Sequence, residues 1–146
     1  MNNLQLKFIF LFLLFSQLGF SQTASEWFDK GYIATNNKQF ESAIEYFDKA
    51  IELNPNYTLA YFSRGFSKLN LMEFQEAIFD FDKTIQLTPN NALAYSLRGF
   101  CKLNLEKHKE AIADFKKVLS FEPNNNLVKE QIEIAQSELA KQQKKD

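Results

Sequence analysis

The sequence predicts an all-α fold, a solenoid of three antiparallel helix pairs that ends in a capping helix. Five residue types recur with a period of 34 residues, each repeat holds two amphipathic helical patterns, and one more amphipathic pattern follows the third repeat. A fixed period of this length indicates one supersecondary unit stacked on copies of itself. We place the units at residues 24–57, 58–91 and 92–125, and the capping helix with a charged tail at 126–146.

The recurring columns define the repeat. In the middle unit they are Tyr61, Gly65, Ala77, Phe81 and Pro89. Because Gly in a helix interior costs about 1 kcal/mol relative to Ala, the Gly column needs a packing reason. We expect two helices to approach closely there, with the aromatic columns filling the space beside them. The equivalent residues are Trp27, Gly31, Ala43, Phe47 and Pro55 in the first unit, and Tyr95, Gly99, Ala111, Phe115 and Pro123 in the third.

Each unit is predicted to hold two helices, which in the middle unit run over about 58–71 and 74–87. The second helix should end before Thr88, because proline disfavours helical geometry in the residue that precedes it. An Asn stands at each break between the paired helices, and we expect it to close the first helix in the left-handed conformation. These residues are Asn36, Asn70 and Asn104.

Beyond Pro123 the apolar residues recur at intervals of four, three and four, which predicts one more amphipathic helix. The last unit of a solenoid would otherwise expose an apolar face, so this helix is interpreted as its cap. The alternative is a helix that docks onto a partner or onto a second copy of the chain. The apolar positions are Val128, Ile132, Ala135 and Leu139.

The columns resemble the tetratricopeptide repeat family, whose pattern has Trp and Leu-Gly on the first helix and Ala, Phe and Pro further on. The resemblance covers Ala24 to Asn125 and implies a right-handed α-solenoid whose first helices line a concave, peptide-binding surface. Three columns depart from the family pattern. The residue before the Gly is basic, the Tyr usual three residues after the Gly is absent, and so is the Gly common in the turn between the helices. The three columns hold Lys30, Arg64 and Arg98, then Ala34, Lys68 and Lys102, and then Lys38, Met72 and Glu106.

The basic departures suggest an ion pair between the paired helices. Arg64 and Lys68 face the same way on one helix, and Asp80 stands on the second. The same three residue types recur in the third unit, as Arg98, Lys102 and Asp114. We therefore predict an Arg–Asp bridge, which would contribute about 0–1 kcal/mol if it were exposed. The alternative is a set of independent solvated charges.

The resemblance also predicts a ligand-binding groove. It would be aromatic and neutral, and would suit an extended segment or a helix with apolar anchors. Tyr32, Phe66 and Phe100 could equally pack between neighbouring first helices, and the Asn residues could cap helices rather than grip a ligand backbone. The predicted groove residues are Phe28, Tyr32, Phe62, Phe66, Leu93, Leu97, Phe100, Asn36, Asn70 and Asn104.

One binding mode of the family is not expected. Members that capture a partner's C-terminal carboxylate use Lys, Asn and Arg residues at fixed places in three units. The matching positions in this chain hold none of these types, so no cationic clamp is predicted. They are Phe28, Tyr32, Ser63, Leu93 and Leu97.

Composition argues against nucleic-acid binding and catalysis. The 17 basic and 18 acidic residues are interleaved, so there is no basic stripe. With one His and one Cys, neither a His-rich metal site nor a Cys–His nucleophile pair is predicted, and no cofactor is expected. Cys101 is interpreted as a small core residue and His108 as a half-buried packing residue.

The first 21 residues differ from the repeats. Lys7 precedes an unbroken apolar run from Phe8 to Phe15, and small residues, Gly19 and Ser21, stand before Gln22. This pattern is typical of a secretory signal peptide cleaved near Ser21. The apolar run is far shorter than the roughly 20 residues that span a bilayer. We therefore expect an exported protein, periplasmic or secreted, whose mature chain does not span a membrane.

These observations predict a non-catalytic protein-interaction scaffold that binds a protein or peptide partner in its apolar groove, and they do not favour an enzyme. The alternative is a structural module that self-assembles through the capping helix or the groove, as a homo-oligomer.

Overall fold

The computed structural model describes residues 22–144, and within them it contains helices and no strand. The predicted signal segment, 1–21, lies outside the described residues. Six helices form three consecutive pairs and a seventh, longer helix follows. They are α1 (Ala24–Asn36), α2 (Phe40–Leu53), α3 (Thr58–Asn70), α4 (Phe74–Leu87), α5 (Ala92–Asn104), α6 (His108–Phe121) and α7 (Asn126–Gln142).

Local sequence explains where the helices begin and end. At α1, Thr23 Oγ1 accepts from the Glu26 amide and Glu26 Oε2 accepts from the Thr23 amide, a reciprocal cap. Asn91 and Asn125 cap α5 and α7 by accepting, through Oδ1, from amides three residues on. As predicted, α4 ends at Leu87, and Thr88 before the proline is extended with φ −139° and ψ 84°.

The turns between paired helices differ from the prediction. Asn36, Asn70 and Asn104 are the last helical residues, so the expectation that they adopt the left-handed conformation is wrong. The left-handed residues stand two positions later. In the middle unit the Met72 amide donates to Leu69 O and the Glu73 amide to Lys68 O, a pair of bonds that places the left-handed residue at position 72. These residues are Lys38, Met72 and Glu106, with φ of 59°, 62° and 58°.

The Gly column lies where the paired helices cross, as expected. A Cβ on Gly31 would stand 2.5 Å from Cε1 of Phe47, and one on Gly99 would stand 2.8 Å from Cε1 of Phe115. At Gly65 the nearest atoms are farther away, at 3.1 Å. The aromatic residue of the second helix therefore occupies the space that a side chain at the Gly position would need.

The units stack through a repeated contact. Each second helix packs on the first helix of its own unit and on the first helix of the next. The first helices of successive units also contact each other, whereas within residues 22–144 the second helices make no contact of that extent. The first helices therefore lie on the tighter, inner side of the solenoid and the second helices on its outer side.

Helix α7 is present where the apolar spacing predicted it. Its Val128 and Ile132 are buried in one cluster with Phe115 and Val118 of α6. Ala135 is also buried, whereas Leu139 is only half-buried. The apolar side that α6 would expose at the end of the stack is thus covered.

Cys101 and His108 are both buried. Cys101 packs beside Ala77 and Phe81, as predicted, and burial raises the pKa of its thiol to about 12. His108 was expected to be half-buried, but only 8% of it is exposed. Its Nδ1 atom is enclosed without a hydrogen-bond partner in the part of the chain that the structure describes.

Candidate functional site: an apolar groove on the first helices

A groove runs across the inner side of the solenoid and holds a cavity of about 280 Å³. Side chains from all three first helices line it, and none of these lining residues is charged. Six of the ten predicted groove residues come together in this cavity, along with Thr35 and Ser63. The six are Tyr32, Asn36, Phe62, Phe66, Leu93 and Leu97.

Three aromatic side chains recur along the groove at one position of the repeat. Tyr32 is 55% exposed, Phe66 37% and Phe100 44%. Side chains that served only to pack neighbouring first helices would be buried. These three are exposed, so packing between the helices is not their only role. Leu59 and Leu93 are also exposed and extend the apolar surface along the same helices.

Phe28 and Phe62 lie deeper than the other predicted groove residues. Phe28 packs against Phe47 and Tyr57, with ring centroids 5.6 and 5.1 Å apart, and Phe62 packs against Phe81 at 5.9 Å. Both therefore belong partly to the core, and Phe62 also lines the cavity. Phe28, Phe100, Asn70 and Asn104 do not line the cavity itself.

The Asn residues keep a polar edge available beside the groove. The Asn70 side chain donates from Nδ2 to Phe66 O at 2.8 Å, and Asn104 donates to Phe100 O at 2.9 Å. These bonds fix the direction of each amide and leave Oδ1 as a free acceptor in an exposed side chain.

The groove lining is neutral, and the cations of helices α3 and α5 are engaged elsewhere. Helices α3 and α5 carry two cations each, and all four turn toward buried carboxylates on the second helices. Arg64 Nη2 lies 2.5 Å from Asp80 Oδ1, and Lys68 Nζ lies 2.9 Å from Asp80 Oδ2. Arg98 and Lys102 bind Asp114 in the same way. The predicted Arg–Asp bridge is therefore present, and the alternative of independent solvated charges is wrong.

The sequence left the exposure of these ion pairs open, and in the structure their carboxylates are buried. The Asp80 side chain is fully buried and that of Asp114 nearly so. Burial alone would lower the pKa of Arg64, but hydrogen bonds and charge interactions with Asp80 and Asp48 outweigh it and raise that pKa. Arg98 is affected in the same way by Asp114 and Asp82. Both guanidinium groups are thus held charged and are directed away from the groove.

The positions that form a carboxylate clamp in other members are apolar or neutral in this groove. Tyr32, Ser63, Leu93 and Leu97 line the cavity, and Phe28 is half-buried outside it. The sequence reasoning did not include Thr35 in the site. Its hydroxyl donates to Gly31 O and lies 3.3 Å from Ser67 Oγ across the boundary between two units, a contact that no single-unit pattern could indicate.

The described residues offer little support for other kinds of site. No group of three or more His, Cys, Asp or Glu within residues 22–144 could hold a metal ion. The search of the same residues for a helix long and apolar enough to cross a membrane found none.

Comparison with known proteins places this geometry in a family. A family model described as Tetratricopeptide repeat matches residues 24–57 and 92–125. The Arabidopsis OM64 TPR domain is 31% identical, with a TM-score of 0.74, over 79% of this chain and 95% of that domain. The chain belongs to the tetratricopeptide repeat family.

Two further solved tetratricopeptide repeat domains are similar. The first domain of Spaghetti (RPAP3), bound to the HSP90 peptide SRMEEVD, is 28% identical with a TM-score of 0.77, over 82% of this chain and 95% of that one. The second domain of human RPAP3, in complex with an HSP70 peptide, is 26% identical with a TM-score of 0.73, over 77% and 94%. No curated protein sequence matches the chain.

Proposed function

We propose that this tetratricopeptide repeat protein is a non-catalytic scaffold that binds a peptide segment of a partner protein in the groove of its first helices. The observation that carries the proposal is the cavity of about 280 Å³, whose exposed aromatic and aliphatic lining comes from all three units. Exposed apolar surface that is continuous and concave is typical of a binding site. Two similar domains bind an HSP90 and an HSP70 peptide, which supports a peptide as the class of ligand.

The chemistry of the groove selects a different peptide from theirs. The HSP90 peptide SRMEEVD carries two Glu and one Asp near its end. The cavity in this chain has no charged lining residue, and the cations of α3 and α5 are bound to Asp80 and Asp114. A ligand with apolar anchors therefore suits it, with Tyr32, Phe66 and Leu93 receiving the anchors. The Oδ1 atoms of Asn70 and Asn104 are available to accept from the ligand backbone.

We also propose that the protein works in an exported compartment, after cleavage near Ser21. The support is the apolar run from Phe8 to Phe15 together with the small residues before Gln22. The first capped helix begins three residues after the proposed cut, at Ala24. N-terminal sequencing of the protein from its native cells tests this. A chain that begins at Gln22 in the exported fraction is expected, and an intact chain retained in the cytoplasm would overturn the proposal.

The groove is tested with peptides selected from a random display library against the native protein. Selected peptides, fluorescently labelled, should bind with affinities that fall at least about tenfold in the Phe62→Ala, Phe66→Ala double variant, because two apolar side chains that line the cavity are lost. The matched control is Phe79→Ala, which removes an exposed Phe from the outer side. The peptide SRMEEVD should not bind measurably.

Three results would contradict the proposal. They are equal binding of selected peptides by the native protein and the double variant, a loss of binding in Phe79→Ala alone, and tight binding of SRMEEVD. Thermal unfolding of each variant shows whether a loss of binding reflects a loss of fold. If the double Ala variant proves too unstable, Phe66→Leu replaces it, because Leu removes the aromatic ring but keeps an apolar side chain at this position.

A further inference from the structure

The outer side of the solenoid carries three exposed stripes, one on each second helix. Each stripe holds four residues spaced by four, three and four, which places them on one face of the helix. All are exposed except Asp48, which is half-buried. We call them the outer stripes. They are Glu41, Glu45, Asp48 and Glu52 on α2, Gln75, Phe79, Asp82 and Gln86 on α4, and Lys109, Ala113, Lys116 and Ser120 on α6.

Charge reverses along these stripes from one end of the solenoid to the other. The α2 stripe consists of four carboxylates, and the α6 stripe has two cations and no carboxylate. The first column shows the change most simply, since Glu41, Gln75 and Lys109 occupy equivalent positions in successive units. Two further columns border the stripes: Lys49, Lys83 and Lys117 have the same charge in every unit, whereas Ser42, Glu76 and Glu110 add a carboxylate in the second and third units.

Except for Asp48, the charged groups of the α2 and α6 stripes make no ion pair within residues 22–144. Asp48 and Asp82 already bind Arg64 and Arg98. No ion pair joins Glu41, Glu45 or Glu52 to another residue in the described part of the chain, and the same holds for Lys109 and Lys116.

The middle stripe carries an exposed aromatic residue in place of the charges. Phe79 is 65% exposed, and the equivalent positions in the other two units hold Glu45 and Ala113. A cavity of about 490 Å³ lies beside it, lined by Phe79, Tyr61, Asp82, Lys83 and Gln86. An exposed aromatic residue next to a cavity, with opposite charges in the units on either side, is the pattern of a surface complementary to itself.

We propose that the outer stripes are the interface of an antiparallel dimer formed by two copies of this chain. A twofold axis beside Phe79 sets the acidic α2 stripe of each copy against the basic α6 stripe of the other, and brings the two Phe79 rings together over the cavities. A parallel arrangement would set carboxylates against carboxylates. The interface lies on the side opposite the groove, so dimerisation leaves both grooves open and gives a bivalent scaffold.

The patch is small, so the dimer is weak and sensitive to salt. Three helices of about 21 Å with spacings near 10 Å give a patch on the order of 600 Å² on each copy, at the lower end for specific interfaces. The association should therefore weaken at least about tenfold between roughly 0.05 and 0.5 M salt, because its peripheral contacts are ionic.

The test is sedimentation equilibrium of the protein purified after expression of the full chain, with two charge-reversal variants. One is Glu41→Lys with Glu45→Lys, and the other is Lys109→Glu with Lys116→Glu. Each alone sets like charges against like at both ends, so each should be monomeric at concentrations where the native protein dimerises. An equimolar mixture should form dimers again, because the reversed stripes then face opposite charges. Phe79→Ala should weaken the native dimer at least about tenfold.

The matched control is Glu130→Lys with Glu133→Lys on α7, which changes the net charge by the same amount as the α2 reversal but lies off the stripes and should leave the dimer intact. All these positions are exposed, so the folded structure tolerates the changes, and thermal unfolding checks this. Recovery of dimers only on mixing supports the interface. A native protein that stays monomeric, a dimer unaffected by either reversal, or a mixture that remains monomeric would overturn it. So would loss of the dimer in the α7 control.

Discussion

Arg64 binds the carboxylate of Asp80 with two hydrogen bonds, from Nε to Oδ2 at 2.9 Å and from Nη2 to Oδ1 at 2.5 Å. Its remaining Nη1 group reaches Asp48 in the preceding unit. One guanidinium thus joins the two helices of its own unit and connects that unit to its neighbour. The arrangement recurs around Arg98, with Asp114 and Asp82.

The Asp80→Asn variant should be strongly destabilised. Asp80 is fully buried between Arg64 and Lys68, so the substitution leaves two half-buried cations without the carboxylate they share, and we expect a loss of about 2–4 kcal/mol in the free energy of unfolding. Urea denaturation at neutral pH measures it. Asp82→Asn is the control, because that carboxylate is half exposed and its pair should contribute only about 0–1 kcal/mol. Equal losses in the two variants would show that burial does not determine the effect.

The fold follows from patterns that act over short distances. Helix pairs, the ends set by Pro55, Pro89 and Pro123, and the Gly-to-aromatic crossing could be predicted because each depends on residue type within one unit. The burial of Asp80 could not be predicted in this way. A carboxylate on an amphipathic helix is ordinarily solvated, and only the stacking of units with an Arg and a Lys on either side makes its burial favourable.

The conformation of the turns and the exposure of the groove residues also could not be predicted from residue types alone. Asn70 has the residue type preferred in left-handed turns, yet Met72 adopts that conformation because the two backbone bonds at the helix end determine which residue turns. The sequence also could not show whether Tyr32, Phe66 and Phe100 are exposed, because the same helical spacing is found for core residues and for groove residues. The curvature of the stack, which separates these rings, is a property of all three units together.

The Gly31→Ala variant should lose stability, whereas Gly65→Ala should change it little. At position 31 a Cβ would stand 2.5 Å from the buried Phe47 ring, and overpacking of this kind costs about 1–3 kcal/mol, offset in part by the roughly 1 kcal/mol by which Ala favours a helix. At position 65 the nearest atoms are 3.1 Å away, so the two effects nearly balance. Chemical denaturation of both variants tests the ranking. A greater loss at position 65 would contradict the crossing geometry.

The Met72→Gly variant should be more stable than the native protein. Met72 is 75% exposed and has φ of 62°. This left-handed conformation costs a residue with a side chain about 1–2 kcal/mol. Gly avoids that cost, but it loses more conformational entropy on folding, which offsets up to about 1 kcal/mol of the gain. We expect a net gain of about 0.5–1 kcal/mol. The control is Gln75→Gly in the first turn of α4, which should lose about 1 kcal/mol. A Met72→Gly variant that melts below the native protein would contradict the left-handed assignment.

The Cys101 thiol should make the protein less stable as pH rises through the alkaline range. Burial raises its pKa from 9.0 to about 12, so above pH 9 the unfolded chain releases this proton while the folded chain keeps it. The unfolded state then binds fewer protons, and the free energy of unfolding falls with pH, by up to about 1.4 kcal/mol per unit for one group, until the folded thiol ionises near pH 12. Lys and Tyr residues titrate in the same range, so the measurement is the difference between the native protein and Cys101→Ala. The free energy of unfolding of the native protein should fall relative to that of Cys101→Ala steadily from pH 9 to pH 11. A difference independent of pH would mean that the thiol is not buried in solution, and rapid reaction of the folded protein with a thiol reagent at pH 8 would show the same directly.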